Sequence, residues 1–150
     1  MNSQYMLRKA IKADHWAIKR LIWKEKLNPS GLDWKRFTVV VSASGQVVGC
    51  SQIKPHYDGS HELASMVVHP AYRDQGIARM IIEHQLNSTD DDLYLICQSE
   101  LINFYEKFGF IKISKPEMPI FFRRLSDLPT FFTHLSKVQL LIMRRRMKRK

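Results

Sequence analysis

The stretch that decides the fold is Leu63-Ala-Ser-Met-Val-Val-His-Pro-Ala-Tyr-Arg-Asp-Gln-Gly-Ile-Ala-Arg-Met-Ile-Ile82. The apolar, β-branched run Met66–Val68 favours a strand, and Pro70 closes that strand because proline cannot continue a hydrogen-bonded ladder. From Gly76 onward, apolar residues recur at helical spacing. The stretch therefore predicts a strand, a tight turn and a helix.

The predicted helix start has the properties of a pyrophosphate cradle. The first turn of a helix offers unpaired N–H groups and a positive dipole end, which together bind phosphate. Gly76 lets an anion approach the backbone closely, and Ala78 keeps the first turn uncrowded. Arg73 and Arg79 add positive charge on either side. Taken alone, the pattern leaves an ordinary strand-to-helix turn open as the alternative.

Two segments resemble a known family. Arg73-Asp-Gln-Gly-Ile-Ala78 resembles the R/Q-x-x-G-x-G/A signature of the GNAT superfamily of N-acetyltransferases, and Phe104-Tyr-Glu-Lys-Phe-Gly-Phe110 resembles the family's Y-x-k-x-G-F segment. The resemblance implies acetyl-CoA as cosubstrate, with no metal. Gln98 stands where many members carry an asparagine that touches the pantetheine arm. The implied cofactor-binding residues are Met66, Val67, Val68, Arg73, Asp74, Gln75, Gly76, Ile77, Ala78, Arg79 and Gln98.

The order of predicted elements, β-α-β-β-β-α-β-α-β-α-β, indicates an α/β mixed sheet of about seven strands with helices on both faces. The resemblance to the GNAT fold implies that two parallel central strands, Glu62–Val68 and Leu93–Cys97, splay apart to admit the coenzyme. We expect one domain over residues 1–143 and a basic C-terminal tail over residues 144–150. The segment Met118–Leu135 has a helical spacing that is broken by Pro129, and the predicted last strand spans Val138–Met143.

Acetyl transfer to an amine requires a base, a donor to the thioester carbonyl and an acid for the departing thiolate. The resemblance makes Tyr105 the candidate general acid and Glu62 the candidate general base. The carbonyl donor is expected to be a backbone N–H around Val67 or Val68. Alternatives stay open: Tyr105 could be a core aromatic and Glu62 an exposed strand residue. His61 and His69 compete with Glu62 as the base.

The segment Met118–Phe132 lies where family members often build the acceptor pocket. Its aromatic and basic residues are either pocket wall or core, and Trp34 is a further acceptor-site candidate. The aromatic and basic residues of this segment are Phe121, Phe122, Phe131, Phe132, Arg123 and Arg124.

No cysteine is placed to form an acyl-enzyme, so the sequence favours direct transfer in a ternary complex.

The net charge of +10 is unevenly distributed. Residues 144–150 hold six of the 24 Lys and Arg residues, and the other 18 exceed the 14 Asp and Glu residues by four. The tail is a solvated segment or a weak contact for nucleic acid or an anionic surface. Cys50 and Cys97 lie in apolar runs, which indicates reduced thiols and a cytoplasmic protein.

The expected partner is an amine-bearing substrate, either a small molecule or a protein. The longest apolar run is too short to cross a membrane, and we expect a monomer or homodimer. Two other function classes remain open. One is a non-catalytic acyl-CoA sensor on the same fold, and the other is a nucleic-acid-associated protein that acts through its basic tail.

Overall fold

Two units make up the chain. The computed structural model describes residues 4–128 and 139–147. The first unit spans Met1–Lys54 and Leu63–Thr89, and the second spans Pro55–Glu62 and Asp90–Lys150.

The first unit contains three antiparallel strands and two helices. β1 pairs with β2, and β2 pairs with β3, both antiparallel. Most of β4 also belongs to this unit. The elements are β1 (Tyr5–Lys9), α1 (His15–Lys24), β2 (Phe37–Ser42), β3 (Val47–Pro55), β4 (His61–Val68) and α2 (Ile77–Asn87).

Both faces of β2 are covered, which explains its unbroken apolar sequence. Val39 and Val41 belong to a buried cluster with Ile18 of α1. Val40, which points to the opposite face of the strand, packs with Ile81 of α2. The two helices therefore lie on opposite faces of this part of the sheet, as the sequence predicts.

The second unit is built on the pairing of β5 with β7. These strands are antiparallel from Leu93↔Arg145 to Gln98↔Leu140, and β6 adds to the other edge of β7. The start of β4 pairs in parallel with β5 at His61↔Leu93 and Glu62↔Tyr94. The elements are β5 (Leu93–Gln98), α3 (Ile102–Glu106), β6 (Ile111–Lys112), α4 (Ile120–Ser126) and β7 (Leu140–Arg145).

The strand order is β1-β2-β3-β4-β5-β7-β6 in a seven-stranded mixed sheet. The predicted fold class is confirmed. No helix within residues 4–128 and 139–147 is long and apolar enough to span a bilayer.

Two predicted boundaries differ from the structure. The helix of the predicted segment Met118–Leu135 begins at Ile120 and ends at Ser126, before the predicted break at Pro129, while residues 129–138 lie outside the described part of the chain. The last strand continues through Arg145, two residues into the predicted tail. Arg144 is buried in that strand, where its Nη2 donates to Glu117 Oε2 at 3.3 Å. This ion pair explains how a basic residue is accommodated in the sheet. The tail as a separate segment stays a prediction.

Candidate functional site

The turn before α2 has two left-handed residues. Asp74 has a φ of +63° and Gly76 a φ of +83°, and Gly76 is the N-cap of α2. A backbone that alternates in this way forms an anion-binding concavity of N–H groups at a helix start. A Cβ on Gly76 would meet no atom within 4 Å. The positive φ, and not a lack of space, is therefore what requires a glycine at position 76. The space that a side chain would occupy there is open.

The side chains around this turn are largely used to hold it in place. Arg73 Nε donates to the Val68 carbonyl at 3.2 Å, and its Nη2 donates to Glu25 Oε2 at 3.0 Å. The Tyr5 hydroxyl donates to Gln75 Oε1, and Arg79 pairs with Glu83. The predicted cradle is therefore mainly a backbone structure.

β4 contains a left-handed residue immediately before the predicted carbonyl donors. Ser65 has a φ of +56°, which is typical of a β-bulge that turns N–H groups out of the ladder. Gln52 Nε2 donates to Ser65 Oγ at 2.9 Å, and Cys50 Sγ donates to the Ser65 carbonyl at 3.7 Å. The sequence gives no signal for this, since serine has no special preference for positive φ.

The side chains that follow Ser65 are used for packing. Val67 joins the core cluster that contains α1, while Met66 and Val68 pack against the cluster that contains α2. The predicted contribution of these three residues to coenzyme binding therefore depends on their backbone groups.

Glu62, the candidate base, is held by a histidine that the sequence analysis did not identify. His56 Nε2 lies 2.8 Å from Glu62 Oε1, and the two side chains are 7% and 13% exposed. The His56 ring stacks on Phe121 with 3.5 Å between ring centroids and meets the edge of Phe122 at 5.5 Å. The carboxylate is thus half-enclosed and oriented, which a general base requires.

A sequence signal for this pair did exist. The turn Tyr57-Asp-Gly-Ser60 reverses the chain, and the His56 N–H donates to the Ser60 carbonyl at 2.9 Å. Residues that flank a tight turn on either side are brought together. Turn chemistry could therefore have placed His56 beside Glu62.

The two competing histidines lie in different surroundings. His61 Nδ1 is 3.7 Å from Asp91 Oδ2, and His61 lines an open cavity of about 460 Å³ with Asp58 and Asp90. His69 Nδ1 accepts a hydrogen bond from the Ala71 N–H at 3.1 Å. His69 therefore caps the short 3₁₀ turn that follows β4.

Tyr105, the candidate acid, lies on α3 and is 8% exposed. Burial, with a smaller contribution from nearby Cys97, raises the pKa of Tyr105 to about 12. Its ring meets Phe104 edge-on at 5.1 Å and Phe110 at 6.0 Å. The phenol is therefore protonated across the neutral range, as a proton donor must be.

The remaining candidates have varied environments. Gln98 is exposed at the end of β5, and Trp34 packs against the core cluster of α1. Phe122 is fully buried, which confirms the core alternative for it.

The two arginines of the predicted acceptor segment make hydrogen bonds within the protein. Arg123 Nη2 donates to the Met118 carbonyl, and Arg124 Nη1 donates to the Tyr57 hydroxyl. Phe131 and Phe132 lie outside the described residues.

The family of the chain is shown by its match to a family model. Residues 33–112 match the family model described as an acetyltransferase (GNAT) domain, which is more than half of the chain. The chain belongs to the GNAT family. The resemblance predicted from the two sequence motifs is confirmed.

Similar proteins include enzymes with different acceptors. The chain is 27% identical over 89 residues to an amino-acid acetyltransferase of Vibrio atlanticus (strain LGP32), a match that covers 57% of this chain and 20% of the relative. The chain thus spans about one fifth of the length of the curated relative it matches.

Solved GNAT structures share the fold at low identity. N-acetylglutamate synthase from Neisseria gonorrhoeae, solved with coenzyme A and N-acetyl-glutamate, has a TM-score of 0.75 at 17% identity, covering 99% of this chain and 36% of that one. The ribosomal-protein-S18-alanine N-acetyltransferase from Escherichia coli has a TM-score of 0.66 at 15% identity, covering 97% and 96%.

Proposed function

We propose that this chain is an acetyl-CoA-dependent N-acetyltransferase that acetylates a primary amine. The observation that carries the proposal is the turn at residues 73–78, where Asp74 and Gly76 adopt left-handed φ angles at the start of α2. That backbone suits a pyrophosphate, and membership in the GNAT family supports coenzyme A as the molecule that carries it. The pantetheine arm would continue along the backbone of Met66–Val68, and Gln98 stays a separate predicted contact for it.

Each chemical requirement of the transfer has a residue of the matching type. Glu62 takes a proton from the amine, directly or through water, while the His56 Nε2–H holds Oε1 at 2.8 Å. A backbone N–H of Val67 or Val68 stabilises the negative charge that develops on the thioester oxygen. Tyr105 donates a proton to the departing thiolate, because its phenol remains protonated below its raised pKa of about 12.

The state of the cysteines supports direct attack in a ternary complex. Both Cys50 and Cys97 are buried and free. Burial raises the pKa of the Cys97 thiol to about 11 and that of Cys50 further still. Since the thiolate is the nucleophile, these protonated thiols are poorly suited to forming an acyl-enzyme.

The acceptor class comprises small amines, amino acids and protein amines. A relative named for amino acids and a structural neighbour named for a ribosomal protein alanine support testing both kinds. A cytoplasmic location, a monomeric or homodimeric state and contact of the basic tail with nucleic acid are further parts of this proposal. The two buried free thiols support the cytoplasmic location.

The experiment is a thiol-release assay with acetyl-CoA against a panel of amino acids, polyamines and peptides. We expect release only with an acceptor present, and a loss of about 10²–10⁴-fold in kcat for Tyr105→Phe with coenzyme A affinity kept. Tyr94→Phe is the matched control, since Tyr94 is a partly buried tyrosine of the same unit as Tyr105.

The pH dependence adds a second check. The raised pKa of Tyr105 means that the acid form persists as pH rises and is lost only on passing through about pH 12. An alkaline loss of kcat near pH 8 that disappears in Tyr105→Phe would contradict the assignment. Coenzyme A binding without amine-dependent release across the whole panel would instead indicate a sensor.

A further inference from the structure

Gln52 and Ser65 each have a feature that is unfavourable in a folded protein: a buried oxygen without a partner among the described residues and a left-handed backbone, respectively. Ser65 has a φ of +56° within β4, a conformation that residues other than glycine rarely adopt. Gln52 is fully buried, and its Oε1 has no hydrogen-bond partner among the described residues. Both features cost stability. Strained backbone and unpaired buried polar groups concentrate at functional sites.

Both amide hydrogens of Gln52 are used. Nε2 donates to Ser65 Oγ at 2.9 Å and to the Gly31 carbonyl at 3.1 Å. A glutamine amide has only these two N–H donors, so its orientation is set by one acceptor on β4 and one on the loop between α1 and β2. Gln52 therefore ties the left-handed residue of β4 to two other elements of the first unit.

We propose that Gln52 is a positioning residue that holds Ser65 in its left-handed conformation and thereby aims the backbone N–H of Val67 or Val68 at the thioester carbonyl. The inference rests on the proposed acetyl transfer. It adds to that function the residue that maintains the geometry of the carbonyl site.

The physical reason is that a left-handed serine relaxes unless its surroundings fix it. Without the bond from Gln52, rotation toward ordinary extended φ angles relieves the cost at Ser65 and re-aims the N–H groups that follow. Stabilisation of an oxyanion requires donors at hydrogen-bond distance from a defined point, and a shift of about 1 Å is enough to lose most of it.

The test measures polarisation of the bound thioester, which needs no acceptor. Infrared difference spectra of carbonyl-labelled acetyl-CoA are recorded on the full chain and on Gln52→Met, which keeps the side-chain length without the amide. Ser65→Ala removes only the β4 contact and serves if Gln52→Met folds poorly. Lys54→Met is the matched control, because the hydrogen bond of Lys54 Nζ runs from β3 to the Ser30 carbonyl of the same loop and not to Ser65.

We expect the carbonyl band to move to lower frequency on binding to the original protein and to Lys54→Met. The shift should be lost in Gln52→Met and reduced in Ser65→Ala, with acetyl-CoA affinity kept within about threefold and turnover lowered about tenfold or more. A full carbonyl shift in Gln52→Met would overturn this inference and leave the proposed function standing. Absence of acetyl-CoA binding to the original protein would overturn both.

Discussion

The turn at residues 73–78, proposed to bind the coenzyme, and the cluster of Glu62, His56 and Phe121 (the Glu62 cluster), proposed to contain the general base, are built in two different ways. The turn at residues 73–78 lies on the surface and presents backbone N–H groups, with its geometry set by left-handed φ angles at Asp74 and Gly76. The Glu62 cluster is enclosed and built from side chains, with the His56 ring sandwiched against Phe121 and its Nε2 on the carboxylate.

The two regions differ in the substitutions that they should tolerate. A backbone cradle depends on conformation and tolerates changes of most side chains, because its donors are common to all residues except proline. A general base depends on the identity of one functional group and on the hydrogen bond that orients it. Substitutions in the two regions should therefore affect different kinetic parameters.

The largest effect expected in this comparison is that of Glu62→Gln on turnover. The amide oxygen still accepts from His56 Nε2, so the cluster keeps its shape, but it no longer accepts a proton. We expect kcat to fall about 10²-fold near pH 6–7 and less at high pH, where more of the amine is already neutral. Rate measurements from pH 6 to pH 9 check this.

Glu106→Gln is the control for that series, since Glu106 is an exposed carboxylate of the same unit. Its rate should follow the pH profile of the original protein. An equal loss at every pH in Glu62→Gln would remove Glu62 from proton transfer.

A small effect is expected for Arg73→Gln. The Arg73 side chain is 50% exposed and already paired with Glu25, and exposed pairs contribute about 0–1 kcal/mol. We expect coenzyme A affinity to fall about threefold at low salt and by less at high salt, where charges are screened. Titration calorimetry at two salt concentrations measures this.

Substitution of Glu25, the ion-pair partner of Arg73, makes the affinity test sharper. Glu25→Gln removes the competing carboxylate from Arg73 and should leave affinity equal or slightly higher. A hundredfold loss in Arg73→Gln would instead show that the cradle depends on a side chain rather than on its backbone.

The sequence could predict those parts of the site that are contiguous in the chain. The turn at residues 73–78 combines a strand end, Gly76 and a helix start within a few residues, so local rules were sufficient to predict its structure. The segment around Tyr105 was similarly local, and Gly109 ends it with a φ of +89°. The order of the elements along the chain followed from the alternation of apolar runs and turn signals.

The parts that were missed depend on contacts between distant or unusual positions. Gln52 meets Ser65 across two strands, and the left-handed φ of Ser65 is set by tertiary contacts rather than by serine itself. Buried Arg144 of the last strand is paired with Glu117, 27 residues away in sequence. Side-chain pairing of this kind leaves no periodic pattern.

The most direct test of a backbone-built coenzyme site compares Gly76→Ala with Gly45→Ala by titration with coenzyme A. The two glycines have φ angles of +83° and +85°, and a Cβ on either would meet no atom within 4 Å. Each substitution therefore carries a similar conformational cost of about 1 kcal/mol, but only Gly76 lies in the turn before α2. Coenzyme A affinity should fall at least about tenfold in Gly76→Ala and stay unchanged in Gly45→Ala. Equal affinity in the two variants would contradict the assignment of this turn as the coenzyme cradle.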